Sequence, residues 1–296
     1  MLKYRALNPN VSPAKRLLQL TNNSIEAALA HRLHLAHVVE YPKCGGSWVR
    51  NMVRTYRNQE LFTYDRLLRR GDTILCHRLF SRNIKKAIVV VRDPRDMYVS
   101  FYHYENSFAL RNRHSPLFEH FQHDPERPLR EDFHAYLEAK LLHPSHPWFY
   151  FSQFLDAWLN RPGTCLVRYE DCLTEPATQL ASIIRFLGDP LDLDRLAEAV
   201  AATSFSAVTK EKYGQARKAG EADNTKFHRK GVSGDWKNHF NGDSCRLIET
   251  IEGRSLRRLG YETDASWIED FCMDLEAEGR EPAAPRAGQM APAGAE

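Results

Sequence analysis

Residues 41–48 read Tyr41-Pro42-Lys43-Cys44-Gly45-Gly46-Ser47-Trp48, between an apolar, loosely alternating run, Leu33 to Val39, and a segment with Val49, Met52, Val53 and Tyr56 on one helical face. The pattern predicts a strand, a glycine turn and a helix. Gly45 and Gly46 let backbone N–H groups approach a ligand closely. The helix brings its positive end to the same place, Ser47 adds a hydroxyl and Lys43 a full positive charge. Such a turn can cradle a phosphate. The plain alternative is a glycine turn with a surface lysine. It is not a Walker A loop, in which the lysine follows the last glycine.

Working outward, Thr73–Cys76 reads as a short strand ending at His77, and Ala87–Val91 as a strand buried on both faces. At Arg92-Asp93-Pro94 the chain changes to helix, with Asp93 as N-cap and Pro94 as first helical residue. Cys165–Tyr169 reads as a fourth strand. Helices are expected at Ser12–Ala30, at 131–141, at 148–160, over Pro176–Leu187 and Asp192–Ala202, and over the basic stretch Cys245–Leu259. Polar loops are expected at 105–130, as a possible lid, and at 210–234. Strands alternating with helices predict an α/β fold with a central, mainly parallel sheet flanked by helices. A single domain over 31–275 follows, with an N-terminal leader at 1–30 and a disordered tail at 276–296. In open parallel sheets ligands bind beyond the carboxyl ends of the strands. Lys43, His77, Arg92 and Tyr169 would then share one crevice.

The 296 residues are 43% hydrophobic and 27% charged, which are globular proportions. No apolar run approaches the ~18 residues of a membrane span, and residues 1–5 do not open a secretory signal. The six cysteines include no CxxC pair, which points to a reduced, cytoplasmic setting. A net charge of +3 gives no field for nucleic acid, so any anion site is local. His31, His34 and His37 lack further residues at ligand spacing, so no metal is expected. Trp148, Phe149, Phe151 and Phe154 have the spacing of core residues, and Cys44, beside Lys43 and a helix start, has the setting of a reactive thiol.

Two further clusters suit anions. Arg92 and Ser100 flank the start of one helix, and Phe227-His228-Arg229-Lys230-Gly231 is a basic, glycine-bearing loop. With these, three segments resemble the sulfotransferase family. Tyr41–Trp48 resembles its 5′-phosphosulfate loop (YPKSGTTW in cytosolic members), Arg92–Tyr102 its 3′-phosphate segment, and Arg229–Lys237 its RKGxxGDWK motif. Order and spacing match over about 200 residues.

The resemblance implies transfer of the sulfuryl group of 3′-phosphoadenosine-5′-phosphosulfate (PAPS) to a hydroxyl or amine of a small-molecule acceptor, leaving PAP, without a metal. It implies that Lys43 contacts the 5′-phosphate and bridging oxygen, that Cys44, Gly45, Gly46 and Ser47 wrap the phosphate, and that Trp48 packs on adenine. Arg92, Ser100, Arg229, Lys230 and Gly231 would hold the 3′-phosphate. Tyr169, Thr203 and Phe205 would touch the nucleotide, and His77 would be the general base. Departures are Cys44 for serine, Gly46 and Ser47 for threonines, and Leu75 where cytosolic members often carry a second lysine. The sequence after Lys237 does not continue the family's dimer motif. The competing readings are a P-loop nucleotide kinase, for which no acidic Mg²⁺ partner is evident, and a non-catalytic nucleotide-binding protein. The acceptor and the oligomeric state are not legible.

Overall fold

The computed structural model describes residues 12–279 except 31, 63–65, 80–83, 110–115, 144–146, 210–230 and 278. Its centre is a parallel sheet of four strands: β1 (Ala36–Glu40), β2 (Thr73–Cys76), β3 (Ala87–Val91) and β4 (Thr164–Arg168), in the order β2-β1-β3-β4. Val39 pairs with Cys76 on one side and Val89 on the other, and Val90 pairs with Val167. Every residue of β1 and β3 is buried, as expected of inner strands covered on both faces. All four strands run the same way, so all four carboxyl ends lie on one edge of the sheet.

Helix α1 (Pro13–Leu29) precedes the sheet. After β1 comes α2 (Gly46–Tyr56) and after β3 comes α3 (Pro94–Ala109). Then follow α4 (Leu129–Leu142), α5 (Phe151–Trp158), α6 (Tyr169–Thr174), α7 (Pro176–Leu187), α8 (Leu193–Thr203), α9 (Phe205–Thr209), α10 (Gly242–Arg258) and α11 (Trp267–Ala277). Helices α2, α7 and α8 pack together, and α2 and α7 touch the sheet; α10 packs on α3, α4, α5 and α11. The ring of Tyr41, directly after β1, meets Phe101, Phe149, Phe151 and Phe154 edge-on, at 5.5–6.3 Å between centroids. This cluster joins the sheet edge to α3 and α5.

Several expectations need correction. Trp148 is not core: α5 begins only at Phe151, and Trp148 is 57% exposed, while Phe149, Phe151 and Phe154 are buried. Tyr169 opens α6 rather than closing β4. The stretch 105–130 is partly structured, because α3 continues to Ala109 and a 3₁₀ turn covers Pro116–Glu119. The helix of the leader is stapled to the domain: Asn22 donates to the Arg66 carbonyl at 2.8 Å and accepts from the Leu68 amide at 2.9 Å. Most of the 210–234 loop, and the tail beyond 279, lie outside the described residues.

The turn into β4 depends on Gly163. Its φ is +77°, and a Cβ there would lie 2.1 Å from the backbone oxygen of Lys85. Gly234 has a similar φ of +84° but no atom within 4 Å of such a Cβ. Alanine at either site meets a backbone penalty of about 1–2 kcal/mol; only Gly163→Ala must also move the backbone. In urea unfolding, Gly163→Ala is expected to lose clearly more stability than Gly234→Ala.

Candidate active site

The ends of the four strands meet as their parallel arrangement requires. After β1 the chain turns through Lys43, at φ +74°, and Gly45, at φ +96°, both left-handed. Gly45 is the N-cap of α2 and supplies no side-chain cap, and the first turn of α2 carries no acid. The positive end of the helix therefore faces the edge where the strands end. The Lys43 ammonium sits 4.1 Å from the centre of the Tyr104 ring.

Tyr169 closes the turn from the β4 side. A Cβ at Gly45 would lie 2.5 Å from its ring, so the close approach requires glycine. The ring also meets Trp48 edge-on at 5.8 Å, and the Arg92 guanidinium stacks over it at 4.3 Å. The Nε1 of Trp48 and the Nε of Arg92 are buried and lack hydrogen-bond partners among the described residues. Two buried donors on side chains that both contact the Tyr169 ring suit a polar ligand that supplies acceptors. Ser47 and Ser100 are half-buried on α2 and α3. The hydroxyl of Thr203 donates to the Ala199 carbonyl at 2.7 Å, and Phe205 is buried at the start of α9. α8, which carries Thr203, packs on α2.

His77 follows β2. Its Nδ1 lies 3.3 Å from the carbonyl oxygen of Glu40. A carbonyl only accepts, so Nδ1 holds the proton of this bond and Nε2 of the neutral ring keeps the lone pair. The side chain is 35% exposed, so a reacting group can reach it.

Arg92 and Asp96 tie the segment after Gly231 to the sheet. Arg92 donates to the Val232 carbonyl at 3.1 Å, while the Asp96 carboxylate accepts from the amides of Gly234 at 2.7 Å and Trp236 at 2.9 Å. Gly231 has φ +66°. Arg229 and Lys230 lie outside the described residues.

Sequence reasoning missed Asp96, Glu170 and Glu40. Glu170 accepts from the Asp93 amide at 3.1 Å and from the Tyr261 hydroxyl at 2.7 Å, joining the ends of β3 and β4. Glu40 is 2% exposed, and its Oε2 accepts from the Gly46 amide at 2.6 Å. Burial pushes its carboxyl up to about 7, against the pull of the Gly46 amide, Lys43 and Arg50. An acid ending an apolar strand before a lysine turn was the available signal. The reading of Cys44 as reactive is overturned. Its side chain is fully buried, and burial, with Glu40 beside it, pushes the thiol well above its usual value.

Compared with known families, residues 71–260 match the sulfotransferase domain. The chain belongs to this family. The match begins after the Lys43 turn. The chain is 27% identical over 184 residues to a flavonol sulfotransferase-like protein of Flaveria bidentis, covering 59% of this chain and 55% of that one. It is 24% identical over 200 residues to human sulfotransferase 1C2, covering 66% and 60%. It thus spans between half and two thirds of the length of these relatives. Among solved structures, mouse sulfotransferase SULT7A1 complexed with PAP superposes with a TM-score of 0.55 at 20% identity, covering 83% of this chain and 92% of that one. Retinol dehydratase in complex with androsterone and PAP superposes with a TM-score of 0.53 at 15% identity, covering 83% and 94%. The fold is therefore that of the sulfotransferases. No helix among the described residues is long and apolar enough to cross a membrane.

The burial of Cys44 gives a direct check. In the folded protein at about pH 8, where a free thiol is partly ionised, iodoacetamide is expected to label the half-exposed Cys272 well ahead of Cys44, read by peptide mass spectrometry.

Proposed function

We propose that this sulfotransferase-family chain transfers the sulfuryl group of PAPS to a hydroxyl or amine of a small-molecule acceptor. The observation that carries the reading is the meeting of the Lys43 turn, His77, Arg92 and Tyr169 at one edge of the sheet. Solved relatives of this fold are described with PAP, and one of them with androsterone. The residues fit the nucleotide: two buried donors lack partners among the described residues, and the N-cap residue Gly45 adds no side chain at the positive end of α2, where the Glu40 carboxylate holds the Gly46 amide. Bound PAPS supplies an activated sulfuryl group on a phosphate leaving group.

Each residue then has a task. Lys43 and the first turn of α2 offset negative charge that grows on the phosphate side of the breaking bond, as oxyanion donors do. His77, its Nδ1 held by the Glu40 carbonyl, takes the acceptor's proton at Nε2. Tyr169 fixes the turn and Arg92 in one relative position. Arg92 and Ser100, with Gly231, Arg229 and Lys230, are assigned to the 3′-phosphate; Trp48, Thr203 and Phe205 are assigned to the adenine side. The setting is cytoplasmic. By analogy with phosphoryl transfer the transition state is loose, so positioning dominates.

Melting temperature with adenosine 3′,5′-bisphosphate, against ADP and against ATP with Mg²⁺, tests the reading. Saturation at about 100 times Kd adds roughly 2.7 kcal/mol. The bisphosphate should raise the melting temperature beyond either competitor; a rise only with ATP and Mg²⁺ favours a kinase. His77→Ala is expected to lose at least a hundredfold in turnover with bisphosphate binding kept. Arg92→Lys, which loses the planar fork, should weaken the bisphosphate more than adenosine 5′-phosphate, measured by calorimetry.

A further inference from the structure

The glycine turn has a buried acid, Glu40, directly before it. The Glu40 carboxylate lies beneath α2 and already holds the amide of Gly46, the first residue of the helix. That amide is one of the donors a phosphate in the turn would use. The surrounding sequence is fitted to this acid. A Cβ at Gly46 would lie 2.7 Å from Cδ of Glu40 and 2.9 Å from Cδ1 of Leu75. Of two departures from the family pattern, Gly46 for threonine thus leaves space for the carboxyl group, and Leu75 for lysine puts an apolar side chain against the same glycine. Glu40, Gly46 and Leu75 form one packed unit.

We propose that Glu40 competes internally with the ligand for the turn, and that an oxyanion enters the turn with uptake of one proton from solvent by the Glu40 carboxyl. The proposal rests on the nucleotide reading above and concerns the same site. Its physical basis is charge at short range. A second anion at the Gly46 amide would face a buried carboxylate across a single peptide unit, where water screens little. Protonation removes that repulsion and weakens the carboxyl's hold on the amide, since a charged acceptor bonds more strongly than a neutral one. Facing Glu40 are Lys43 and Cys44 of the turn, Arg50 of α2, and the Nδ1 of His77 beyond β2, at 3.9 Å from Oε1. Lys43 and Arg50 favour the charged acid in the ligand-free turn. An entering anion draws on the same two cations, which raises the acid's proton affinity further. The Cys44 thiol, pushed well above its usual value, does not exchange protons in the same range.

The sign follows by linkage. Where Glu40 is already neutral, the anion meets no charge. As pH rises past the ligand-free ionisation of Glu40, near 7, each ligand must bring a proton, and affinity falls by up to about tenfold per pH unit. Phosphate monoesters complete their second ionisation near pH 6, so the window from about pH 7.5 to 9 lies above the ligand's own titration, and a substitution of Glu40 isolates the carboxyl.

The test is calorimetric titration of the full chain with adenosine 3′,5′-bisphosphate across that window, repeated at about pH 8 in two buffers of different ionisation enthalpy. Expected are a Kd that rises steadily with pH and a buffer-dependent heat showing close to one proton taken up per ligand. Glu40→Gln, whose amide oxygen can still accept from Gly46, should flatten the pH dependence and bind more tightly than the wild type at the alkaline end. A Kd independent of pH in the wild type, no proton uptake, or a slope that survives in Glu40→Gln overturns the proposal and leaves the nucleotide reading intact. No binding of the bisphosphate at any pH removes both.

Discussion

The site depends on the ring of Tyr169. It lies over Gly45, meets Trp48 edge-on and carries the Arg92 guanidinium on its face. These contacts join the ends of β1, β3 and β4, which lie up to 128 residues apart in the chain. A stacked guanidinium and an edge-on indole are each worth on the order of 1 kcal/mol. Their larger effect is geometric, because one rigid ring sets the distance between the Lys43 turn and Arg92, the two places that the proposed function assigns to the two phosphates. A ligand with phosphates at fixed separation is then met by groups already in place, which lowers the ordering cost of binding.

Buried charge extends this frame toward the C-terminal half. Arg95 is nearly sequestered, yet it bonds both carboxylate oxygens of Asp93, reaches Glu262, and lies over the rings of Trp236 and Trp267. Asp96, one residue on, holds two amides of the segment after Gly231. Burial raises the Asp96 carboxyl, with Arg92 pulling it back. A buried charge with several hydrogen bonds fixes its surroundings more than it stabilises them, since desolvation offsets much of the attraction. The start of α3 works as an anchor for a distant segment as well as a helix cap.

The sheet was legible because its signals are local: the β-branched run of Ala87–Val91, the glycine pair after β1 and the Asp93-Pro94 helix start. The meeting of Lys43, His77, Arg92 and Tyr169 followed from strand direction alone. What could not be read were tertiary events. Nothing near Trp148 in sequence shows that α5 begins three residues later and leaves the indole outside. Glu40 reads as the polar end of a strand until Gly46 is seen to donate to it. Cys44 has the neighbours of a reactive thiol in sequence, but depth of burial decides its chemistry, and depth is a property of the packed chain.

Helix α1 has a bearing on residues it does not touch. Its Glu26 meets Arg78 at 2.9 Å and His37 of β1 at 3.4 Å, and Arg78 directly follows His77. The N-terminal segment thus has a grip on the side chain next to the proposed base, through a single buried acid. Swapping this segment for that of a relative, as is common when chimeras are assembled, would carry a hidden change into the chemistry unless Glu26 and Arg78 travel together.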